Sequence, residues 1–183
     1  SKAARLFPKS GRLRKNAGGA TSVTTNEQPA ASPPPAPLPP PRAKVKTLAC
    51  LGGISLERGV AMDEVQGYVK DPTNIVWVDI QDAGPEEYSL LLEEFGFHPL
   101  ALEDAAKGQQ RPKVDEYKGY LFVVIYGAAG RGETGEFTAR EVALFIGRNY
   151  LVSLHHGPMP AVEDAMNRWA RGGQMLNEGV GFL

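Results

Sequence analysis

The residues able to do chemistry in this chain are few. Glu103 and Asp104 stand side by side, the three histidines are His98, His155 and His156, and Ser55, Ser153 and Cys50 are the hydroxyl and thiol candidates. Carboxylate oxygens suit hard cations; Mg²⁺ keeps several of its waters and takes one or two carboxylates from a protein. Neighbouring residues on a helix point about 100° apart, so Glu103 and Asp104 do not chelate one ion as a pair. Each could meet carboxylates on another element; the residues alone favour plain surface acids. His155 and His156 fall at a strand end, where adjacent side chains face opposite ways, and no Cys/His cluster of zinc spacing accompanies them. A structural role at the strand terminus is expected, with His98 capping a helix. Neither serine sits in a G-x-S-x-G elbow, and Cys50 beside Leu51 reads as a small buried hydrophobe. No enzyme is expected. Arg111 and Lys113 flank Pro112 and are spaced to pair with Asp115, Glu116 or a neighbouring subunit.

The acids need a rigid mount, and the stretch Phe95–Tyr117 reads as one. Gly96 can close a helix in the left-handed conformation. His98 stands at the next N-cap and Pro99 at the first helical position, where its missing N–H is no loss. Leu100–Lys107 reads as a short helix ended by Gly108. Gln109-Gln110-Arg111 cannot continue it, because the residue before Pro112 is pushed out of the α region. From Lys113 the period becomes that of a strand, expected to run to Tyr126 with a bulge at Lys118-Gly119. Its continuous apolar run, Tyr120–Tyr126, predicts a central strand covered on both faces.

Around this mount the elements follow in order. Thr47–Leu51 predicts a strand ended by Gly52-Gly53, and a weaker one is expected near Arg58–Asp63. Ile75–Ile80 predicts a strand with Val76, Val78 and Ile80 toward the core. A helix starts at Pro85, with Tyr88, Leu91, Leu92 and Phe95 as one apolar stripe. Gly127–Gly135 reads as a glycine-rich loop, and Arg140–Ile146 and Tyr150–Leu154 as a hairpin. Pro160–Arg171 predicts a helix with Val162, Met166 and Trp169 on one side. A cut-off helix at Gly172–Glu178 is expected to fray.

Charge is unevenly placed. Residues 1–46 carry nine Lys/Arg against Glu27 alone, a net of +8, and residues 47–183 carry eleven bases against twenty acids, a net of −9. The acidic body points to cations as partners. The basic arm suits a polyanion or membrane surface. Residues 29–41 hold eight prolines and read as a polyproline II spacer. Residues 1–44 are therefore expected to form a disordered tail, and residues 45–183 one folded domain. A single cysteine excludes an intrachain disulfide. Aromatic–basic interleaving of the kind used on nucleic acid is absent. No apolar run reaches the eighteen or so residues of a membrane helix.

The ordered motifs H-P-L-A-L-E-D, from His98 to Asp104, and Q-R-P-K-V-D-E-Y, from Gln110 to Tyr117, resemble the cytoplasmic domain of the CorA family of magnesium and cobalt transporters. The resemblance extends through Trp77-Val78-Asp79-Ile80 and Gly147-Arg148-Asn149-Tyr150, over roughly residues 47 to 183. It rests on His98, Pro99, Leu102, Gln110, Arg111, Pro112 and Lys113 as well as on the acids. It implies an α/β domain, an αβα layered arrangement with a mixed, largely antiparallel sheet. It implies a regulatory cation site between neighbouring subunits at Asp104, and a second near Glu103, with partner acids beyond Leu183. The cation implied is Mg²⁺, with Co²⁺ and Zn²⁺ as alternatives. The assembly implied is a homo-oligomer, a pentamer in full-length members, on the cytoplasmic face of the inner membrane. The stalk, membrane helices and pore are expected to lie outside these 183 residues. The competing reading is a soluble adaptor that binds partners through the proline-rich segment.

Overall fold

The computed structural model describes residues 42–131 and 135–171. The expectations for the basic tail, the proline-rich segment and the last twelve residues lie outside the described residues. The elements are β1 (Lys44–Leu51), β2 (Ser55–Arg58), α1 (Val65–Val69), β3 (Ile75–Gln81), α2 (Pro85–Phe95), α3 (Pro99–Lys107), β4 (Lys113–Tyr117), β5 (Tyr120–Arg131), β6 (Phe137–Gly147), β7 (Tyr150–His155) and α4 (Pro160–Arg171). The seven strands form one sheet in the order β2-β1-β3-β7-β6-β5-β4. Only β3 and β7 run parallel; every other neighbouring pair is antiparallel. This is the expected mixed, largely antiparallel α/β domain.

Alternation along β3 divides the core in two. Val76, Val78 and Ile80 pack with Leu91 of α2, Phe97, and Ala101, Leu102 and Ala105 of α3. Ile75 and Trp77 face the other way, toward Met166 and Trp169 of α4. The two indoles lie 6.2 Å apart. Both faces of β3 are therefore dry, as a strand at the middle of a layered domain requires.

Several local expectations are corrected. Lys118-Gly119 is a two-residue hairpin turn between β4 and β5, with Tyr117 opposite Tyr120, and not a bulge. Gly119 takes φ 94 there, a conformation open to glycine because it has no Cβ. The bulge lies further on, between Ala128 and Gly130. β5 is second from the sheet edge and is fully buried on one face only, α4 covering the other in part. Tyr120, Phe122 and Val124 are buried, whereas Leu121 and Ile125 are 39% and 42% exposed. The predicted loop at Gly127–Gly135 is shorter, because β5 runs on to Arg131. The weak strand lies at Ser55–Arg58 rather than Arg58–Asp63, and α1 follows it unforeseen. In α2, Leu92 is 45% exposed and leaves the stripe; the deep contact comes from Phe97, just past the Gly96 cap.

Candidate cation site

Phe97 fixes the start of the acidic helix. It is fully buried, stacked on Phe145 at 4.2 Å and within 4.9 Å of Tyr120 and 5.1 Å of Phe95. The next residue, His98, donates its backbone N–H to the Tyr120 hydroxyl at 2.9 Å. Its Nδ1 accepts from the Leu100 N–H at 3.2 Å, so His98 caps α3 and Pro99 begins it. Ala101, Leu102 and Ala105 turn inward. At 3.6 residues per turn this sends Glu103 and Asp104 to the outer side.

The two acids are not together. Glu103 forms an i,i+4 ion pair with Lys107 along the helix. The nearby carboxylate raises the Lys107 pKa through its hydrogen bond and its charge. Asp104 reaches across to β4, where Oδ2 lies 2.7 Å from Lys113 Nζ. The same ammonium is 2.8 Å from Asp115 Oδ2. Asp115 stands two residues after Lys113 and so shares its strand face. Lys113 also lies over the Phe122 ring, 5.2 Å from its centroid. The hydrogen bonds that Lys113 donates to Asp104 and Asp115, together with the charges of those carboxylates, push its pKa well above the usual lysine value.

The connecting loop is tied at Gln110. Its backbone N–H donates to Glu141 at 2.7 Å, and its carbonyl accepts from the Tyr126 hydroxyl at 2.8 Å. Arg111 and Pro112 are exposed. Of the motif residues, the structure thus brings Asp104 and Lys113 together, places Glu103 apart, and uses His98, Pro99, Leu102 and Gln110 to position them. The pairing of Lys113 with Asp115 is legible from their spacing. Its pairing with Asp104 is not, since nine residues and a loop separate the two. Among the described residues no group of three or more His, Cys, Asp or Glu side chains gathers as a closed metal site. What one chain offers is two carboxylates already arranged around one positive charge. Carboxylate oxygens are the donors Mg²⁺ takes from protein, so Asp104 and Asp115 fit part of its shell, with the lysine ammonium as the stand-in cation.

A second polar cluster sits under the start of α4. Trp77 Nε1 donates to Ser153 Oγ at 3.0 Å, and Ser153 donates to Asp79 at 2.5 Å. His155 Nε2 is 3.3 Å from Asp79, and its Nδ1 is 2.8 Å from the Gly157 carbonyl. Burial pushes the His155 pKa down; hydrogen bonding and charge from Asp79, aided by Gly157 and Asp82, outweigh it and leave it raised. Ser153 gives its proton to Asp79 rather than to a histidine and is wholly buried. This is a structural network and not a nucleophile with its base. His156 is exposed, with its Nδ1 3.9 Å from Asp82. Cys50 is buried too, and burial pushes its thiol pKa up, away from the reactive thiolate.

The layered fold has a counterpart among solved structures. It matches the soluble domain of CorA from Methanocaldococcus jannaschii with a TM-score of 0.56 at 17% identity, over 76% of this chain and 52% of that one. A profile of the CorA-like Mg²⁺ transporter protein family matches residues 73–180, and the chain belongs to that family. It is 38% identical over 112 residues to the Bacillus subtilis protein named "Putative metal ion transporter YfjQ", covering 60% of this chain and 34% of that protein. It is 30% identical over 81 residues to the cobalt/magnesium transport protein CorA of Thermotoga maritima, covering 44% of this chain and 23% of that protein. The chain therefore spans about a third of the first relative and less than a quarter of the second. No helix among the described residues is long and apolar enough to cross a membrane.

Proposed function

We propose that this chain is the Mg²⁺-sensing regulatory part of a CorA-type divalent-cation channel, acting on the cytoplasmic face of the membrane, and that Asp104 is the residue through which the cation level is read. The observation that carries the reading is the convergence of Asp104 and Asp115 on one positive charge at a partly open surface. The net −9 of residues 47–183 supports it by concentrating cations near the domain. Two carboxylates supply only part of the six-oxygen shell of Mg²⁺. The remainder comes from water and from acids of a neighbouring subunit in a homo-oligomer, a pentamer in the proposed assembly. When Mg²⁺ is plentiful, bound ions hold acidic faces together. When it falls, the faces repel and the ring loosens. A ligand that binds one arrangement more tightly shifts the population toward it. Glu103 is exposed and paired along its own helix, and takes a secondary place near a second cation. Co²⁺ and Zn²⁺ are competing occupants.

The test is a chimaera carrying this chain in place of the matching segment of the Bacillus relative. Ion flux is measured against internal Mg²⁺. Asp104→Ala should leave the chimaera active at Mg²⁺ levels that silence the parent, because losing a ligand of the closed state favours the open one. Superimposable inhibition curves would reduce Asp104 to an ordinary surface acid.

A further inference from the structure

Lys113 does what an arriving cation would have to do. Its ammonium sits 2.7 Å from Asp104 and 2.8 Å from Asp115, the only donor within ion-pair distance of either carboxylate among the described residues. Its backbone is fixed, since Lys113 opens β4 opposite Val124. Its ammonium lies over the buried Phe122 ring, 5.2 Å from the centroid, which adds a cation–π attraction and limits where the ammonium can go. Both carboxylates are partly exposed, Asp104 at 34% and Asp115 at 41%. An ion from solution can therefore reach them, and to take both oxygens that face the ammonium it must displace it.

We infer that Lys113 is a built-in competitor for the divalent cation, setting the concentration at which the Asp104–Asp115 pair exchanges an internal ammonium for an external ion. This rests on the reading of Asp104 as a cation ligand. The competition is graded. The ion pairs are partly solvated, so each is modest, and the ammonium yields when the divalent ion is abundant. A site without the lysine would fill at lower concentration and stop responding within the range it is meant to read. A permanent charge also refuses monovalent cations: Na⁺ and K⁺ match the charge of the ammonium but lack its hydrogen bonds, whereas a divalent ion brings twice the charge.

The experiment uses the full 183-residue chain with Mn²⁺ as a paramagnetic probe and Mg²⁺ by calorimetry. Lys113→Gln removes the charge and keeps a polar side chain; Lys113→Arg keeps the charge and controls for the fold. Coulomb repulsion between an ammonium and a divalent ion about 4 Å apart in a water-like medium corresponds to a change on the order of 30-fold, an upper bound if the freed side chain swings away. K113Q should therefore bind Mn²⁺ about 10-fold more tightly than the parent. Mn²⁺ should broaden the amide signals of residues 104 and 115, K113R should bind like the parent, and adding Asp104→Asn to K113Q should cancel the gain. Affinity within twofold of the parent for K113Q, with binding still lost in Asp104→Asn, would overturn the competitor role and leave the reading of Asp104 standing. Binding that ignores Asp104 would overturn both, and none by K113Q at millimolar Mn²⁺ would overturn the competitor role.

Discussion

Replacing Phe97 by alanine is the sharpest test of how the acidic helix is mounted. The ring is fully buried and touches four aromatic neighbours, with centroid distances of 4.2 Å to Phe145, 4.9 Å to Tyr120, 5.1 Å to Phe95 and 6.1 Å to Tyr150. Removing a buried Phe costs about 3–5 kcal/mol, from the lost transfer energy and the cavity left behind. The upper half of that range applies here, because stacked and tilted aromatic pairs add about 0.5–1.5 kcal/mol each beyond area. Collapse is hard as well: Phe145 and Tyr120 belong to paired strands, and Phe97 is pinned between the Gly96 cap and the His98 cap. With a urea slope of about 2 kcal/mol per M, a loss of about 4 kcal/mol moves the midpoint down by about 2 M. The assay is urea unfolding followed by far-UV circular dichroism, with Leu100→Ala as the control. Leu100 is on the same helix but 60% exposed, and its loss should stay within about 0.5 kcal/mol. If F97A falls by less than about 0.5 M, or no further than the control, Phe97 does not anchor α3.

Two further outcomes follow from the core. Val124 is buried on the helix-covered face of β5, so Val124→Asp should cost at least about 4 kcal/mol and unfold the domain at ordinary temperature; a thermal melt like the parent's would contradict the burial. Because the His155 pKa is raised in the folded chain, its ion pair with Asp79 contributes fully below the ordinary histidine value of about 6.5 and is lost as pH rises through the higher folded value. The groups facing it are Asp79 and Asp82, with Lys44, Lys46 and Glu163 lining the same cavity. Denaturation midpoints should thus decline above about pH 6.5 in the parent and change less in His155→Gln; parallel pH profiles would count against the pair.

How much of this could be read from the chain depends on whether the signal was local. The cap at His98, the proline at Pro99 and the glycine stops at Gly96 and Gly108 are short-range chemistry, and the α3 they delimit is the helix in the structure. The parallel contact of β3 with β7 has no local signature, although Trp77-Val78-Asp79-Ile80 and Tyr150–Leu154 both read as strands. The reading of Lys113–Tyr126 as one strand failed at Gly119, where a two-residue turn and a bulge place the same demand on glycine. The reading of β5 as covered on both faces held only in part, because periodicity reports what a strand would bury, not what covers it: Leu121 and Ile125 are as apolar as Phe122 and Val124. Asn149 shows the limit of motif reading. It was legible as part of a turn, yet its side-chain amide lies 2.9–3.2 Å from the carbonyls of Val69, Asp71 and Asn74, tying the segment after α1 to the far hairpin.

The arrangement of α3 separates what holds the helix from what a cation would use. Leu102 and Ala105 are buried against the sheet, and Asp104 between them turns about 100° away from Ala105 and about 200° from Leu102. Among the described residues its carboxylate bonds only to a lysine that is itself partly solvated. An ion pair at that exposure contributes at most about 1 kcal/mol, a small part of a domain's stability of roughly 5–15 kcal/mol. Losing that pair would therefore not loosen the sheet on which the acid stands, as the proposed exchange of the Lys113 ammonium for an external ion requires. A site that must empty and refill as a concentration changes needs this independence. A carboxylate placed like Asp79, buried and bound to Ser153 and His155, could not change partners without opening the core. The two acid clusters thus differ in kind: the one beneath α4 is buried and joins β3 to β7, and the one between α3 and β4 is partly exposed and held by a single lysine.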